Sequence, residues 1–282
     1  MSDTLRLFYQ NVRGIRTKTV EDYQSVLNSN YDILVFTETW LNNNIISDEF
    51  MDGRYNVFRR DRETTNSSRQ DGGGVLIAVS KRHKFYRVNS WETSNEDLWV
   101  NIILGTKTVS ICGVYIPPPL NYERIEDFMQ NVEKIMNKQT LMLIVGDFNL
   151  PSIKWNTEDE CKNNLIPNDL NTISTLVSDF MSVSGLKQHN SISNSFGKTL
   201  DLVFSNVSDI RVEVSDFSVC KVDKYHPPLS VEISYDDKLQ LLLTPESTTR
   251  YNFMKADYGV IEEKLKNIIW TELFNTFTAS SF

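Results

Sequence analysis

The sequence predicts an α/β protein in which two packed β-sheets are flanked by helices. Short segments rich in Val, Ile, Leu and aromatic residues recur along the chain, bounded by polar, Gly or Pro residues, as is typical of β-strands. Helical periodicity is restricted to a few segments. Strands that are numerous and mixed with few helices favour two packed sheets over a parallel βαβ array.

The predicted elements follow one another along the first 235 residues. The predicted strands are Leu5–Asn11, Ile33–Glu38, Gly74–Ser80, Leu98–Leu104, Val109–Tyr115, Leu141–Asp147, Leu200–Ser205 and Leu229–Ile233. The predicted helices are Val20–Leu27, Tyr122–Met136 and Leu170–Met181. The third helix places Ile173, Leu176, Val177 and Phe180 on one face, which predicts that this face packs on a core.

The composition changes near Asp236, so we divide the chain into residues 1–235 and 236–282. The polar, turn-rich segment 244–249 predicts a linker. Beyond it, apolar residues recur at helical spacing and predict one amphipathic helix. These residues are Tyr258, Ile261, Leu265 and Ile268. The sequence leaves open whether its apolar face packs on the main domain, a partner or another domain.

The charge balance counts mildly against a nucleic-acid partner, because 29 basic residues stand against 37 acidic ones, a net charge of −8. Two local basic clusters are candidate DNA-binding surfaces. The first comprises Arg59, Arg60, Arg62 and Arg69, and the second Lys81, Arg82, His83, Lys84 and Arg87. Each is equally well interpreted as a solvated loop or hairpin face.

Cysteine usage and the N-terminus indicate an intracellular protein. Cys112, Cys161 and Cys220 form no CxxC pair, which disfavours a disulfide framework and a cysteine zinc site. The first residues do not have the pattern of a signal peptide, and no apolar run approaches membrane-spanning length. We therefore expect no membrane partner.

Polar residues stand where several apolar strands end. Asn11, Glu38, Tyr115 and Asp147 close four predicted strands, and Asn149 follows two residues after Asp147. A polar residue at a strand end is usually part of a turn, but the alternate positions of Asp147 and Asn149 place both on one face. Acids gathered at one rim repel one another unless a cation binds, and oxygen ligands favour Mg²⁺ over Zn²⁺.

The three histidines differ in their surroundings. His226 precedes Pro227-Pro228 and an apolar strand, which makes it the candidate site histidine, although on its own it is as readily a surface loop residue. His83 and His189 lie among polar or basic neighbours, so we expect both to be solvent-exposed.

An ordered set of short motifs carries a family resemblance. The motifs are Asn11-Val12-Arg13-Gly14, Thr37-Glu38-Thr39-Trp40, Gly72-Gly73-Gly74-Val75, Gly113-Val114-Tyr115, Gly146-Asp147-Phe148-Asn149, Leu200-Asp201-Leu202-Val203-Phe204 and His226-Pro227-Pro228-Leu229. Together they resemble the endonuclease/exonuclease/phosphatase superfamily over about the first 235 residues. The segments 146–155 and 250–258 are similar to the apurinic-type endonuclease domain of Jockey-like non-LTR retrotransposons, where the second leads toward a reverse transcriptase.

The resemblance implies a four-layer α/β sandwich of the DNase I type and a Mg²⁺-dependent nuclease, with Mn²⁺ as the alternative ion. It assigns Glu38 and Asn11 to the metal, and Asp147 to the attacking water. It implies that Asn149, Tyr115 and His226 donate hydrogen bonds to the phosphoryl oxygens. Asp201 would orient His226. The implied reaction nicks double-stranded DNA to leave a 3′-hydroxyl that primes reverse transcription. The implied partners are the element's RNA and reverse transcriptase within a longer polyprotein, and the implied location is the nucleus.

One position departs from the family pattern. The pattern has an aspartate immediately before the terminal histidine, and this sequence has Tyr225 there. Asp223, three residues before His226, is the candidate replacement on the metal side.

Two alternatives stay open at this point. The same fold also serves phosphatases that act on inositol lipids or other small phosphoesters, because a fold does not determine its substrate. A copy that no longer cuts, and only binds DNA or a protein, is compatible with Tyr225 at the position of the expected acid.

Overall fold

The computed structural model describes residues 3–16, 19–62, 72–136, 141–159, 164–168, 171–235 and 257–268. The chain divides into two compact units, Met1–Ser247 and Thr248–Phe282. No helix among the described residues is long and apolar enough to cross a membrane. The predicted linker 244–249, Cys161 and Arg69 lie outside the described residues.

In the first unit, six strands form one sheet and eight form another. The first sheet contains β1 (Asp3–Asn11), β2 (Ile33–Thr37), β3 (Tyr55–Arg60), β4 (Val75–Ser80), β13 (Ile210–Val214) and β14 (Leu229–Tyr235). The second contains β5 (Lys84–Arg87), β6 (Glu96–Leu104), β7 (Lys107–Tyr115), β8 (Leu141–Asp147), β9 (Trp155–Asp159), β10 (Asn164–Pro167), β11 (Lys187–Gln188) and β12 (Asp201–Ser205). The strand orders are β13-β14-β1-β2-β4-β3 and β5-β6-β7-β8-β12-β11-β10-β9, with mixed parallel and antiparallel pairs.

Three helices of this unit are α1 (Thr19–Leu27), α2 (Tyr122–Ile135) and α3 (Thr172–Ser184). Alternate residues of each strand face opposite sides, so each sheet buries two faces. Leu7 of β1 packs with Val145 of β8 in the core between the sheets. Phe128 of α2 and Phe180 of α3 pack on the outer face of the second sheet, and Val26 of α1 on that of the first. This arrangement confirms the predicted four-layer α/β sandwich.

The strand predictions are confirmed with ends shifted by no more than two residues, and Leu141–Asp147 is reproduced without change. The strands that the sequence pattern missed are β3, β5, β9, β10, β11 and β13. Four of them, β3, β5, β9 and β13, lie at sheet edges, where half-exposed strands carry a mixed composition.

Gly146 shows why the central strands of the second sheet tolerate no side chain at this point. A Cβ at Gly146 would lie 1.9 Å from the backbone oxygen of Val114 in the adjacent strand β7. A side chain here would therefore separate β7 from β8, whose ends carry Tyr115 and Asp147.

The expectation that His83 and His189 are solvent-exposed is wrong. His189 is only 7% exposed, because it follows β11 and its backbone N–H bonds to Val203 of β12. The side chain of His83 is 17% exposed, and its Nε2 lies 2.9 Å from the Asp32 carboxylate.

In the second unit the described residues form one helix, α4 (Tyr258–Lys266), as the apolar spacing predicted. Asp257 caps it by accepting a hydrogen bond from the N–H of Val260. The division of the chain at residues 235 and 236 stays a prediction.

Candidate active site

Strand pairing brings the predicted polar residues to one rim of the sandwich. The parallel pair β1–β2 places Asn11 beside Thr37, immediately before Glu38. In the second sheet the parallel pair β7–β8 places Tyr115 beside Asp147, and the antiparallel pair β8–β12 places Asp201 there as well. Two sheets therefore deliver acids, an amide and a phenol to the same place.

Asp147, Asp201 and His226 form the centre of this rim. Each is buried, and one ligand atom from each lies within 4.8 Å of the others. His226 Nδ1 lies 3.0 Å from Asp201 Oδ2, and His226 Nε2 lies 3.7 Å from Asp147 Oδ2. Asn11 crosses from the first sheet and donates from Nδ2 to Asp147 Oδ2 at 3.0 Å.

The pKa values of this cluster follow from burial and charge. Burial raises the pKa of the Asp147 carboxyl above its usual range, and the charge of nearby Asp201 raises it further. Burial by itself lowers the pKa of His226, but the charge and hydrogen bond of Asp201 outweigh it and raise that pKa to about 9. His226 is therefore a cation at neutral pH, paired with Asp201.

Tyr9 is a buried partner of the cluster that the sequence analysis missed. Its hydroxyl donates to Asp201 Oδ1 at 2.7 Å and lies 3.0 Å from Thr37 Oγ1. Tyr9 shares a face of β1 with Asn11, two residues later, so strand alternation was a usable signal.

Glu38 adopts a strained backbone conformation next to the cluster. Its φ of 53° is in the left-handed region, which is uncommon outside glycine and often occurs at functional sites. Trp40 Nε1 donates to Glu38 Oε2 at 3.1 Å. Burial raises the pKa of Tyr115, as do the charge of Glu38 and its hydrogen bond with the phenol. The ring of Trp40 fits because residue 14 is glycine: a Cβ there would lie 2.6 Å from it.

Asn149 is positioned by backbone contacts. It too has a left-handed φ, of 50°. Its backbone N–H donates to Asp147 Oδ1 at 3.0 Å, and its side-chain Nδ2 donates to the carbonyl of Ile116 at 2.8 Å. Asn149 thereby helps to orient the Asp147 carboxylate.

Arg62 is the predicted DNA-binding residue that reaches the site. Its guanidinium lies 5.7 Å from the centre of the Tyr115 ring, and its Nε donates to Glu96 Oε1 at 2.6 Å. Its Nη2 is buried and has no hydrogen-bond partner among the described residues. Glu96, which the sequence analysis also missed, pairs with Tyr115 across β6 and β7.

Asp223 lies at the edge of the site. One of its oxygens accepts hydrogen bonds from the backbone N–H groups of Tyr225 and His226, and the other accepts from Arg13. It is not part of the Asp147–Asp201–His226 cluster found among the described residues. Its metal-side role stays a prediction, while its observed contacts hold the loop that carries His226.

Arg59 and Arg60 are engaged in ion pairs within the fold. The Arg59 guanidinium pairs with Asp61, and Arg60 Nη1 lies 3.1 Å from the buried carboxylate of Asp97. Both side chains are at least three-quarters buried, at 15% and 25% exposed. Their charges therefore hold β3 in place.

The second basic cluster lies away from the site. Lys81 and Arg82 follow the end of β4 opposite to the end where Gly74 bonds to Thr39. Lys84 pairs with Ile103, at the end of β6 opposite Glu96. At about 3.3 Å per residue, the seven residues between each end place Lys81 and Lys84 roughly 20–25 Å from the site. DNA binding by these residues stays a prediction, for a surface outside the site.

Comparison with known proteins identifies the family. The model of the endonuclease/exonuclease/phosphatase family matches residues 9–223. The chain belongs to this family. No curated protein matches the sequence.

Solved structures of other proteins share the fold. The endonuclease domain of TRAS1, a telomere-specific non-LTR retrotransposon, is similar with a TM-score of 0.58 and 15% identity, over 82% of this chain and 98% of that one. An AP endonuclease from Leishmania major has a TM-score of 0.57 and 10% identity, over 83% and 88% of the two chains. The 3′ phosphatase NExo from Neisseria, bound to a product DNA hairpin, has a TM-score of 0.50 and 12% identity, over 82% and 100%. At these identities the likeness shows the fold.

Members of this family usually use a divalent cation, and the donor set fits one. Asp147 and Asp201 lie together with the charge of Glu38 nearby, so three carboxylates share one region, and burial leaves Asp147 poorly solvated. A bound cation relieves this repulsion, and a set dominated by oxygen donors suits a hard ion.

Proposed function

We propose that this chain is a Mg²⁺-dependent DNA endonuclease that nicks one strand of double-stranded DNA and leaves a 3′-hydroxyl. The observation that carries the proposal is the buried Asp147–Asp201–His226 cluster with Glu38 beside it. Family membership supports phosphoester hydrolysis. The retrotransposon endonuclease domain and the DNA-bound phosphatase among the similar structures support DNA as the partner.

Asp147 is the proposed general base. Its carboxylate is held by Asn11 and by the backbone N–H of Asn149, so one oxygen is directed at the attacking water. As Asp147 takes the proton, the water oxygen bonds to phosphorus and the bond from phosphorus to the 3′ oxygen breaks. The leaving 3′ oxygen takes up a proton from solvent, and Asp147 later returns its proton to solvent. The products are a 5′-phosphate and a 3′-hydroxyl.

Cationic and hydrogen-bonding groups surround the position where charge develops. His226 is held as an imidazolium by Asp201, with Nε2 on the Asp147 side. His226, Tyr115 and Asn149 are the proposed donors to the phosphoryl oxygens. The unpartnered Nη2 of Arg62 is a further candidate donor beside Tyr115.

Glu38 and Asn11 are the proposed holders of Mg²⁺, with Mn²⁺ as the alternative ion. When bound, the cation supplies positive charge to the scissile phosphate and to the leaving oxygen. The strained backbone of Glu38 and the hydrogen bond that its carboxylate accepts from Trp40 keep this carboxylate at the rim.

The proposed role of the nick is to prime retrotransposon integration. A 3′-hydroxyl on the chromosome is the primer that a reverse transcriptase extends on element RNA, so those two molecules are the proposed partners. Action on chromosomal DNA requires nuclear localisation, which belongs to the same proposal.

The test is nicking of supercoiled plasmid in Mg²⁺ and in EDTA by the wild type and by Asp147→Ala. We expect Mg²⁺-dependent conversion to the open circle, reduced on the order of a thousandfold in the variant. Extension of the nick by a DNA polymerase then identifies the 3′-hydroxyl. Asp209→Ala removes an exposed acid away from the site and serves as the matched control.

No conversion by a folded wild type contradicts the proposal. Phosphate release from an inositol phosphate or another small phosphomonoester, without nicking, points instead to a phosphatase of the same fold.

A second candidate is a protein that binds DNA or another protein without cutting. Tyr225 at the position of the family's acid favours it, together with Asp223, whose oxygens are engaged by Arg13 and backbone N–H groups. Tyr225→Asp restores the acid and tests whether its absence limits cutting. A rise in nicking rate supports a weakened endonuclease; binding without turnover in both proteins supports the second candidate.

A further inference from the structure

An exposed pair of aromatic rings lies beside the candidate site. Phe196 is 53% exposed and Tyr225 is 37% exposed. Their ring centres are 5.0 Å apart and their planes differ by 26°, so the rings stack on each other. We call Phe196 and Tyr225 the aromatic platform. Large rings left in solvent as a pair indicate a binding surface more strongly than a single exposed apolar residue does.

Hydrogen bonds hold the platform in shape. Asn194 is buried, and its Oδ1 accepts from the N–H groups of Phe196 and Lys198, which fixes the turn that presents Phe196. The N–H of Ser195 donates to the carbonyl of Lys224, which ties this turn to the loop that carries Tyr225. The two rings are therefore arranged before any ligand binds.

The platform is attached directly to the site. Tyr225 precedes His226 in the chain, and Asp223 accepts hydrogen bonds from the N–H groups of both. A group stacked on the platform is therefore placed next to the position of the scissile phosphate.

Positive charges accompany the rings. The ammonium of Lys224 lies 5.1 Å from the Phe196 ring centre and 5.2 Å from that of Tyr225, and the Arg13 guanidinium lies 5.7 Å from the Tyr225 centre. Lys221 is exposed in the same loop. This concentration of cations contrasts with the net charge of −8 of the whole chain and complements a polyanion.

We propose that the aromatic platform stacks an unpaired nucleobase next to the cleaved bond, while Lys224 contacts the adjoining backbone phosphate. This inference rests on the proposed function and names the part of the substrate that this surface takes. Stacking accepts any base, because every base has a π-face, so the platform would contribute affinity with little sequence preference.

The test measures binding of a single-stranded oligonucleotide of about twelve nucleotides that contains one 2-aminopurine. The whole 282-residue chain is titrated in EDTA so that the strand is not cut. We expect Phe196→Leu and Tyr225→Leu to weaken binding on the order of tenfold or more each, and to abolish the fluorescence quenching that stacking causes. Phe196→Tyr and Tyr225→Phe keep a ring and should bind as the wild type does.

Tyr258→Leu is the matched control, because Tyr258 is an aromatic residue that is 62% exposed, on helix α4. It should leave the affinity unchanged. Phe196 lies at an exposed turn, so Phe196→Leu keeps the fold, which its melting temperature checks. The proposed base stacking is contradicted if Phe196→Leu binds and quenches as the wild type does, or if the wild type does not bind the oligonucleotide.

Salt dependence tests the part of Lys224. Lys224→Gln keeps the backbone contact with Ser195 and removes the charge, so the slope of log affinity against log salt should fall by about one. An unchanged slope overturns the phosphate contact.

Plasmid nicking separates the two proposals. A wild type that nicks while Phe196→Leu binds and quenches normally rejects the platform alone. A wild type that binds through the platform and never nicks rejects the endonuclease alone.

Discussion

The imidazole of His226 lies 3.0 Å from the carboxylate of Asp201, although 25 residues separate them in the chain. Asp201 opens β12, beside Asp147 of β8, while His226 stands in the loop before β14 of the other sheet. The pair therefore joins the two sheets at the site. The charge state of His226 depends on how the two sheets pack.

Asp201→Asn should lower the nicking rate and shift its pH profile. Without the carboxylate, the pKa of His226 falls from about 9, because burial then dominates and favours the neutral ring. Activity that needs the protonated His226 ring is present below this pKa and is lost above it. The alkaline limb of the pH–rate profile therefore moves to lower pH. We expect a loss on the order of a hundredfold or more at neutral pH. Rates from pH 5 to pH 10 check this, and an unmoved alkaline limb contradicts it.

Tyr9→Phe should lower both stability and activity. It leaves Asp201 Oδ1 without its buried donor and the Thr37 hydroxyl without its acceptor, which costs about 1–3 kcal/mol of unfolding free energy. Urea unfolding measures that loss. Tyr55→Phe is the control, because it removes a buried hydroxyl that donates to the Tyr31 carbonyl away from the site. Equal loss of activity in both variants would show that Tyr9 acts only through stability.

Mg²⁺ should stabilise the folded protein through Glu38. A ligand that binds only the folded state adds about 2.7 kcal/mol at a hundredfold excess over its dissociation constant. We expect Mg²⁺ to raise the melting temperature of the wild type and of Glu123→Gln, an exposed residue on α2, but not that of Glu38→Gln. Undiminished cutting by Glu38→Ala would contradict the metal assignment.

His189 should make the protein less stable in acid. Burial lowers its pKa to about 4 from an ordinary 6.5, so the folded state resists the proton that the unfolded state takes up. Stability is therefore full above pH 6.5 and declines as the pH falls toward 4, by up to about 3 kcal/mol. Urea unfolding at pH 7 and pH 4.5 measures the decline, which should be smaller in His189→Gln. The same decline in both proteins would assign it to other groups.

Site residues at the ends of predicted strands were accessible to sequence reasoning. Asn11, Tyr115 and Asp147 stand where apolar strands meet polar residues, and strand pairing and sheet packing place them together. Tyr9 escaped notice because a tyrosine within an apolar strand looks like an ordinary core residue. Alternation with Asn11 places it on the face of β1 that meets the site, but its partner Asp201 comes from the facing sheet.

The basic clusters illustrate the opposite case. The sequence shows Arg59, Arg60 and Arg62 as one run, and nothing local says which of them is free. Arg59 pairs with its near neighbour Asp61, packing of β3 on β6 gives Arg60 the buried Asp97, and Arg62 turns toward Tyr115. The partner of Arg60 is 37 residues away in the chain, so composition alone cannot predict which of these charges face a ligand.

The sequence by itself determined the fold class, most of the strands and the residues that meet at the rim, because strand alternation and strand ends are local properties. Only the tertiary structure decided which partners these residues have: the cationic state of His226, the buried donor Tyr9, and the pairing of Phe196 with Tyr225. The physical reason is that charge states and stacking depend on burial and on distances between groups. Packing of the two sheets and their loops sets both.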